Sequence, residues 1–357
     1  MQDSLFPELA EADLPAAARP AAKPTARARK PAAGVVAASV PDELPALAAR
    51  LPAHVRIGSS SWSYPGWAGF VWDGAYDASV LAKRGLEAYA RHPLLRTVSI
   101  DRNFYQPLAV ADYARYAAQV PPHFRFVAKA PSLVTDATVR GEDGRGTASN
   151  PHFLDPELAV QGFVQPALEG LGEHCGALVF QLSPLPARWL VDLPRLHARL
   201  DAMLGALPSL RPQAPDGIIA VEVRDAALLT PEFAALLRRH GATYCLGVHA
   251  KLPPLEAQLP LLRALWPGPL VCRWNYHRRH GAYGYEEAER VYAPFDRLRD
   301  ADPDTRAALA RVMAGTAAAG QKVYVTISNK AEGSAPLSAF ALAQAFDEAM
   351  AARAAGR

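Results

Sequence analysis

Between Val55 and Ser328 the chain repeats one pattern eight times, a short apolar β-rich run followed by a helical stretch. The runs are VRIGSS (55–60), TVSID (97–101), FRFVAK (124–129), ALVFQL (177–182), IIAVEV (218–223), TYCLGV (243–248), LVCRWN (270–275) and VYVTIS (323–328). Strands this continuously hydrophobic belong to a sheet that is covered on its outer face and filled within. The intervening segments carry helix signals. Thr230-Pro231-Glu232 supplies an N-cap, a first-turn proline and an acidic first turn ahead of Phe233, Leu236 and Leu237. A helix over 304–319 carries Leu309, Val312 and Met313 and stops at Gly320, and Leu342, Phe346 and Met350 mark a closing helix. Eight alternations of this kind predict an α/β fold, a (β/α)8 TIM-type barrel. The rival is an open doubly wound sheet, which calls for a glycine-rich phosphate loop after an early strand. The sequence has no such loop.

Side chains alternate along a strand, so the large apolar residues that face the helices fix which positions face the barrel axis. In IIAVEV, Ile219, Val221 and Val223 take the helix side, leaving Ala220, Glu222 and then Arg224 inward. In TVSID, Val98 and Ile100 face out, leaving Ser99 and Asp101 inward. The same parity turns Lys129, Gln181, His249, Arg273, Asn275 and Ser328 toward the axis. All lie at or just past the carboxyl end of a strand, where barrel enzymes place their chemistry.

The predicted ring therefore joins two carboxylates (Asp101, Glu222) to three cations (Lys129, Arg224, Arg273), an imidazole and several amides. Buried charge is costly unless it is paired or used. One reading is an ion-pair network that only fills the barrel mouth. The other is a site for an anionic, phosphate-bearing ligand. Arg224 and Arg273 would then grip the anion, and Asp101, Glu222 and Lys129 would serve as catalytic groups. A metal is not favoured, because His249, His277 and His280 are the nearby imidazoles and two-metal hydrolase sites need more His and carboxylate donors. Aromatics follow the first two strands: Trp62, Tyr64, Trp67 and Trp72, then Phe104 and Tyr105. Trp62, Tyr64 and Tyr105 suit either a stacking surface for a base or sugar, or a rigid lid shaping the pocket.

Residues 14–40 are dominated by Ala and Pro and carry Arg19, Lys23, Arg27, Arg29 and Lys30 without an acidic residue. Too few large apolar side chains are present to offset ordering entropy, which predicts a disordered basic tail over 1–45 and a barrel domain over 46–357. The three cysteines are scattered and odd in number, as expected of small buried hydrophobes in a reducing compartment. Without a secretory signal or a membrane-length apolar run, the expected location is the cytoplasm. A formal charge of +3 on 357 residues does not by itself imply nucleic acid.

Taken together, the strand-end motifs resemble those of the YecE-like family, also called the domain of unknown function 72 family, over roughly Val55 to Phe346. IGSSSWSYPGW is similar to its first-strand motif and SIDRNFYQP to its second. FVAKAP, VFQLSP, AVEVRD and VYVTISNKAEGSAP correspond to later strands, the last placing Asn329 and Lys330 at the mouth. The resemblance implies a barrel with a polar pocket and no settled reaction. One departure stands out. The family's second strand reads V-E-I-N-S-T-F-Y, whereas Ser99, Asp101 and Arg102 replace its Glu, Asn and first Ser here, so a role for that Glu does not transfer. Gln2-Asp3-Ser4-Leu5-Phe6 separately resembles the QxxLF-type peptide that docks bacterial repair proteins on the sliding clamp. In that mode Leu5 and Phe6 fill an apolar pocket and Gln2 bonds at its rim.

Three functional classes follow. The first is an enzyme, hydrolase-like, acting on a phosphate-bearing substrate, with nucleic acid and DNA repair as the context the tail suggests. The second is a small-molecule barrel enzyme, an isomerase or hydrolase of a sugar phosphate. The third is a non-catalytic binding or adaptor protein.

Overall fold

The computed structural model describes residues 34–140, 146–281 and 284–355. Its strands are β1 (Val55–Ser59), β2 (Leu95–Ile100), β3 (Arg125–Lys129), β4 (Thr138–Arg140), β5 (Gly146–Ser149), β6 (Cys175–Gln181), β7 (Ile218–Glu222), β8 (Thr243–Val248), β9 (Leu270–Trp274) and β10 (Val323–Ile327). Eight of them close a parallel barrel in the order β1-β10-β9-β8-β7-β6-β3-β2, while β4 and β5 form a separate antiparallel pair. The expected (β/α)8 barrel is therefore the fold. Each of the eight predicted runs is a barrel strand, and the open-sheet alternative is excluded by the β1–β10 pairing, Val55 with Val323 through Ser59 with Ile327. The β4–β5 hairpin was not anticipated. Its short strands of Thr, Val, Arg, Gly, Ala and Ser lack the apolar run by which the others are recognised.

The pleat follows the predicted parity. Val221, Val223, Leu246, Cys272, Trp274, Val325 and Ile327 pack outward against the helices in one continuous core. A second cluster of Val127, Ala177, Val179, Ile218, Ala220, Cys245, Val271 and Tyr324 fills the barrel interior. The interior is thus a packed plug, as barrels of this size require. Below it, Asp216 receives Arg56 and Arg125, each at 2.9 Å, and Lys322 at 3.4 Å. Above it lies the polar ring.

Helix ends form where the sequence signals them. The Thr230 hydroxyl accepts from Phe233 N at 3.2 Å and caps helix Pro231–Arg239. Helix Pro303–Ala318 ends at Gly320, whose φ of +70° is the left-handed conformation that glycine adopts without strain. The closing helix, Ala335–Ala355, buries Leu342 and Phe346, with Met350 partly covered. Ahead of the first helix (Glu43–Arg50), Ala38 N donates to Val71 O and Asp73 N to Val36 O, so backbone pairing starts within residues 36–38. The tail residues 1–33, with Gln2, Leu5 and Phe6, lie outside the described residues. No helix among the described residues is long and apolar enough to cross a membrane. Cys175, Cys245 and Cys272 are free and buried, and burial pushes their thiols up.

Candidate active site at the barrel mouth

Register brings the charged residues together. Gln181 is the strand partner of Glu222, and Arg273 that of both Gly247 and Thr326. Gly247 occupies the β8 position between β7 and β9. A Cβ there would stand 2.6 Å from Leu252 Cδ1 and 3.7 Å from Glu222 Oε1. With no side chain at that position, Arg273 reaches across to its partners on other strands.

Arg273 is the hub. Its Nη1 donates to Gln181 Oε1 at 2.8 Å and to Glu222 Oε2 at 2.9 Å, and its Nη2 to Asp101 Oδ2 at 2.8 Å. Arg224 Nη2 donates to the same Gln181 oxygen at 3.0 Å and lies 2.6 Å from Glu222 Oε1. That last contact is an ion pair set off the hydrogen-bond direction, since Glu222 Oε1 has no geometrically sound donor among the described residues. The Ser99 hydroxyl donates to Asp101 Oδ1 at 2.6 Å and fixes the second carboxylate.

The two carboxylates differ. Glu222 is fully buried. Burial pushes its carboxyl up, but Arg224 and Arg273 overcome that and hold it below the usual range. It is a standing anion that orients two guanidiniums. The Asp101 side chain keeps 18% of its surface exposed at the edge of the mouth.

Lys129 is 5% exposed, and its Nζ lies 3.4 Å from the centroid of the Phe104 ring. Burial and the neighbouring Arg273 lower its ammonium to about 7, against the pull of Asp101 and Glu222. His249 is held neutral, first by burial and then by Arg224. Its Nδ1 accepts from Lys251 N at 3.1 Å, and its ring meets Tyr276 edge-on at 4.6 Å.

Other predicted residues are committed to the frame. Asn275 Nδ2 donates to Arg273 O at 3.2 Å, bracing its own strand end. Asn329 Oδ1 accepts from Trp67 Nε1 and from Ala335 N. Lys330 Nζ pairs with Glu289 Oε2 at 2.8 Å and sits 4.0 Å from the Tyr285 ring centroid. Trp62 stacks edge-on against Tyr116, and Tyr64 packs between Trp67 and Phe295, its phenol pushed up to about 12 by burial. Trp67 and Trp72 are wholly buried, which makes this cluster largely a wall, whereas Tyr105 remains half exposed. Tyr285, Glu289 and Gly247 were not singled out from sequence. The four-residue spacing of Tyr285 and Glu289 on one helix was the available signal for two of them.

Among the described residues no group of three His, Cys, Asp or Glu side chains converges to hold a metal ion. Clefts of about 430 Å3 (by Leu262 and Val312) and about 960 Å3 (by His92 and Arg96) lie on the outer flanks near the amino ends of the strands, away from this charge cluster.

Among solved structures, the barrel is similar to a DUF72 family protein from Enterococcus faecalis at 16% identity. That match covers 83% of this chain and 95% of the other with a TM-score of 0.50, a likeness of fold. A DUF72 family protein from Thermotoga maritima matches at 17% identity, 82% and 98% coverage and a TM-score of 0.48. A monooxygenase from Streptomyces bottropensis matches at 14% identity, 84% and 99% coverage and a TM-score of 0.41. The last two superpositions are too loose to carry anything further. No curated protein matches the chain. The family described as "Protein of unknown function DUF72" matches residues 56–356, the whole barrel, and this chain belongs to that family.

Proposed function

We propose that the barrel mouth binds a small phosphate-bearing molecule on Arg224 and performs acid–base chemistry on it, with Asp101 as the proton-exchanging group. The observation that carries this reading is the state of Arg224. The residue is 9% exposed, its Nη2 is engaged, and its Nε and Nη1 are buried without an acceptor among the described residues. Buried donors without partners each cost about 1–3 kcal/mol, and a ligand rich in acceptor oxygens removes that cost. Arg273, already spanning three acceptors, organises the site and leaves the anion to Arg224. The depth of these groups favours a small molecule, such as a sugar phosphate, over a duplex, which could present only a terminal or extruded group here.

The test is a thermal-shift comparison of wild type and Arg224→Met against inorganic phosphate, sugar phosphates and short 5′-phosphorylated oligonucleotides. At about 100 Kd a ligand specific for the folded state stabilises by about 2.7 kcal/mol. Sugar phosphates should raise the wild-type Tm and leave Arg224→Met unmoved. Oligonucleotides acting better than sugar phosphates would restore the nucleic-acid reading. No shift by any phosphate compound, or one that survives in Arg224→Met, would end the proposal.

A further inference from the structure

Resting on that reading, we infer that Lys129 is a nucleophilic amine that forms an imine with a carbonyl group of the phosphate-bearing substrate. The argument starts from charge. The ring holds two carboxylates, Asp101 and Glu222, and two guanidiniums, Arg224 and Arg273, and both carboxylates are already bonded to Arg273 at 2.8 and 2.9 Å. The network is balanced without Lys129. Among the described residues no carboxylate lies within ion-pair distance of Lys129 Nζ; its close neighbour is the Phe104 ring. A lysine with a structural ionic role would be expected to show a carboxylate partner, as Lys330 does with Glu289 at 2.8 Å. Lys129 is instead placed at the last position of β3, on the inward face, in the electrostatic reach of both carboxylates and both guanidiniums.

The charged groups that act most strongly on Lys129 belong to that ring: Arg273 on β9, Asp101 after β2, Glu222 on β7 and Arg224 just past it. Burial and the two guanidiniums favour the free amine, while the carboxylates oppose it. The balance lowers the ammonium to about 7, so the free amine is far more accessible near neutral pH than it is for an exposed lysine. A desolvated lysine of this kind is the usual activated amine for carbonyl substrates.

The step balances as follows. The Nζ lone pair adds to the carbonyl carbon while the C=O π electrons move to oxygen, which takes up a proton, giving a carbinolamine. The nitrogen then supplies its lone pair to form C=N as the C–O bond breaks. The oxygen leaves as water with a second proton, and nitrogen has given up both of its hydrogens. Asp101, the more exposed carboxylate, relays these protons, and Arg224 holds the phosphate.

Full-length protein is incubated with dihydroxyacetone phosphate, fructose phosphate or unphosphorylated dihydroxyacetone in the presence of cyanoborohydride, and the adduct is mapped by peptide mass spectrometry. The expected result is a reduced adduct on Lys129 with at least one phosphorylated ketone, much less with dihydroxyacetone, and loss of that adduct in Lys129→Arg. Folding of the variant is checked by circular dichroism. Absence of a Lys129 adduct, or labelling no greater than at exposed lysines, overturns the imine. If inorganic phosphate or a sugar phosphate still raises the wild-type Tm in that case, the anion-binding reading stands alone. If no phosphate compound does, both fall together.

Discussion

Trp67 and Asn329 stand 262 positions apart in the chain and meet beside the barrel mouth, where the indole Nε1–H donates to the amide Oδ1 at 3.1 Å. The same oxygen accepts from Ala335 N at 2.8 Å, at the start of the closing helix. One buried acceptor therefore ties the loop after β1 to the helix after β10, across the seam where the barrel closes.

Asn329→Ala should consequently destabilise the fold by about 2–3 kcal/mol, since it strands an indole and a backbone donor in the interior. Asn329→Asp retains an acceptor oxygen for both and should lose less. Urea denaturation separates the two. Equal losses would mean that the acceptor oxygen shared by Trp67 and Ala335 is not what Asn329 contributes.

The two guanidiniums of the ring should divide stability from binding. Arg273→Met removes the partner of Glu222, Asp101 and Gln181 together and should cost about 3–5 kcal/mol, because it leaves buried charge uncompensated. Arg224→Met leaves Glu222 paired with Arg273 and should cost clearly less. Denaturation midpoints of the two variants check the order, and a reversed order would make Arg224 the structural member.

Much of this site could be read from the sequence, and the limit is physical. The strand period of two is set by local sterics, so the inward positions of Asp101, Glu222, Arg273 and Lys129 follow from the outward placement of Val98, Val221, Cys272 and Phe126. Which inward groups then bond depends on register across strands far apart in sequence. That register makes Arg273 the hub, with the bare β8 position at Gly247 beside it. The aromatic segment was ambiguous for a similar reason. The burial of Trp67 rests on Asn329, and the enclosure of Tyr64 on Phe295, both contributed by distant parts of the chain. Asn329 and Lys330 showed as polar strand-end residues, but their commitment to Trp67 and Glu289 did not.

Lys129 should make stability depend on pH in the alkaline range. Its folded-state ammonium titrates near 7 and its unfolded one near 10.5, so between these values the unfolded chain binds a proton that the folded chain does not. Wild-type stability should therefore rise with pH across that window relative to Lys129→Met. The variant should be the more stable protein at neutral pH, by on the order of a few kcal/mol, with the gap closing toward pH 10. Thermal melts of both proteins from pH 6.5 to about 10 test this. A gap that stays constant across the series would show that Lys129 keeps its proton in the fold.

At the opposite end of the barrel the sign reverses. Burial pushes the Asp216 carboxyl up, but Arg56, Arg125 and Lys322 together outweigh it and hold the group below the usual carboxylate range. A depressed carboxyl contributes stability that is complete above its unfolded value, about 3.9, and is lost as pH falls through the folded one. Asp216→Asn keeps the shape and removes the charge, leaving the Arg56 and Arg125 guanidiniums, both largely buried, without a counter-ion. The variant should melt well below wild type at pH 7, and the difference should narrow below about pH 4 as the wild-type carboxylate is protonated. Melting both proteins at neutral pH and near pH 3 decides the point. An undiminished difference in acid would mean that Asp216 acts through its hydrogen-bond geometry alone, and that its charge does not hold the base of the barrel together.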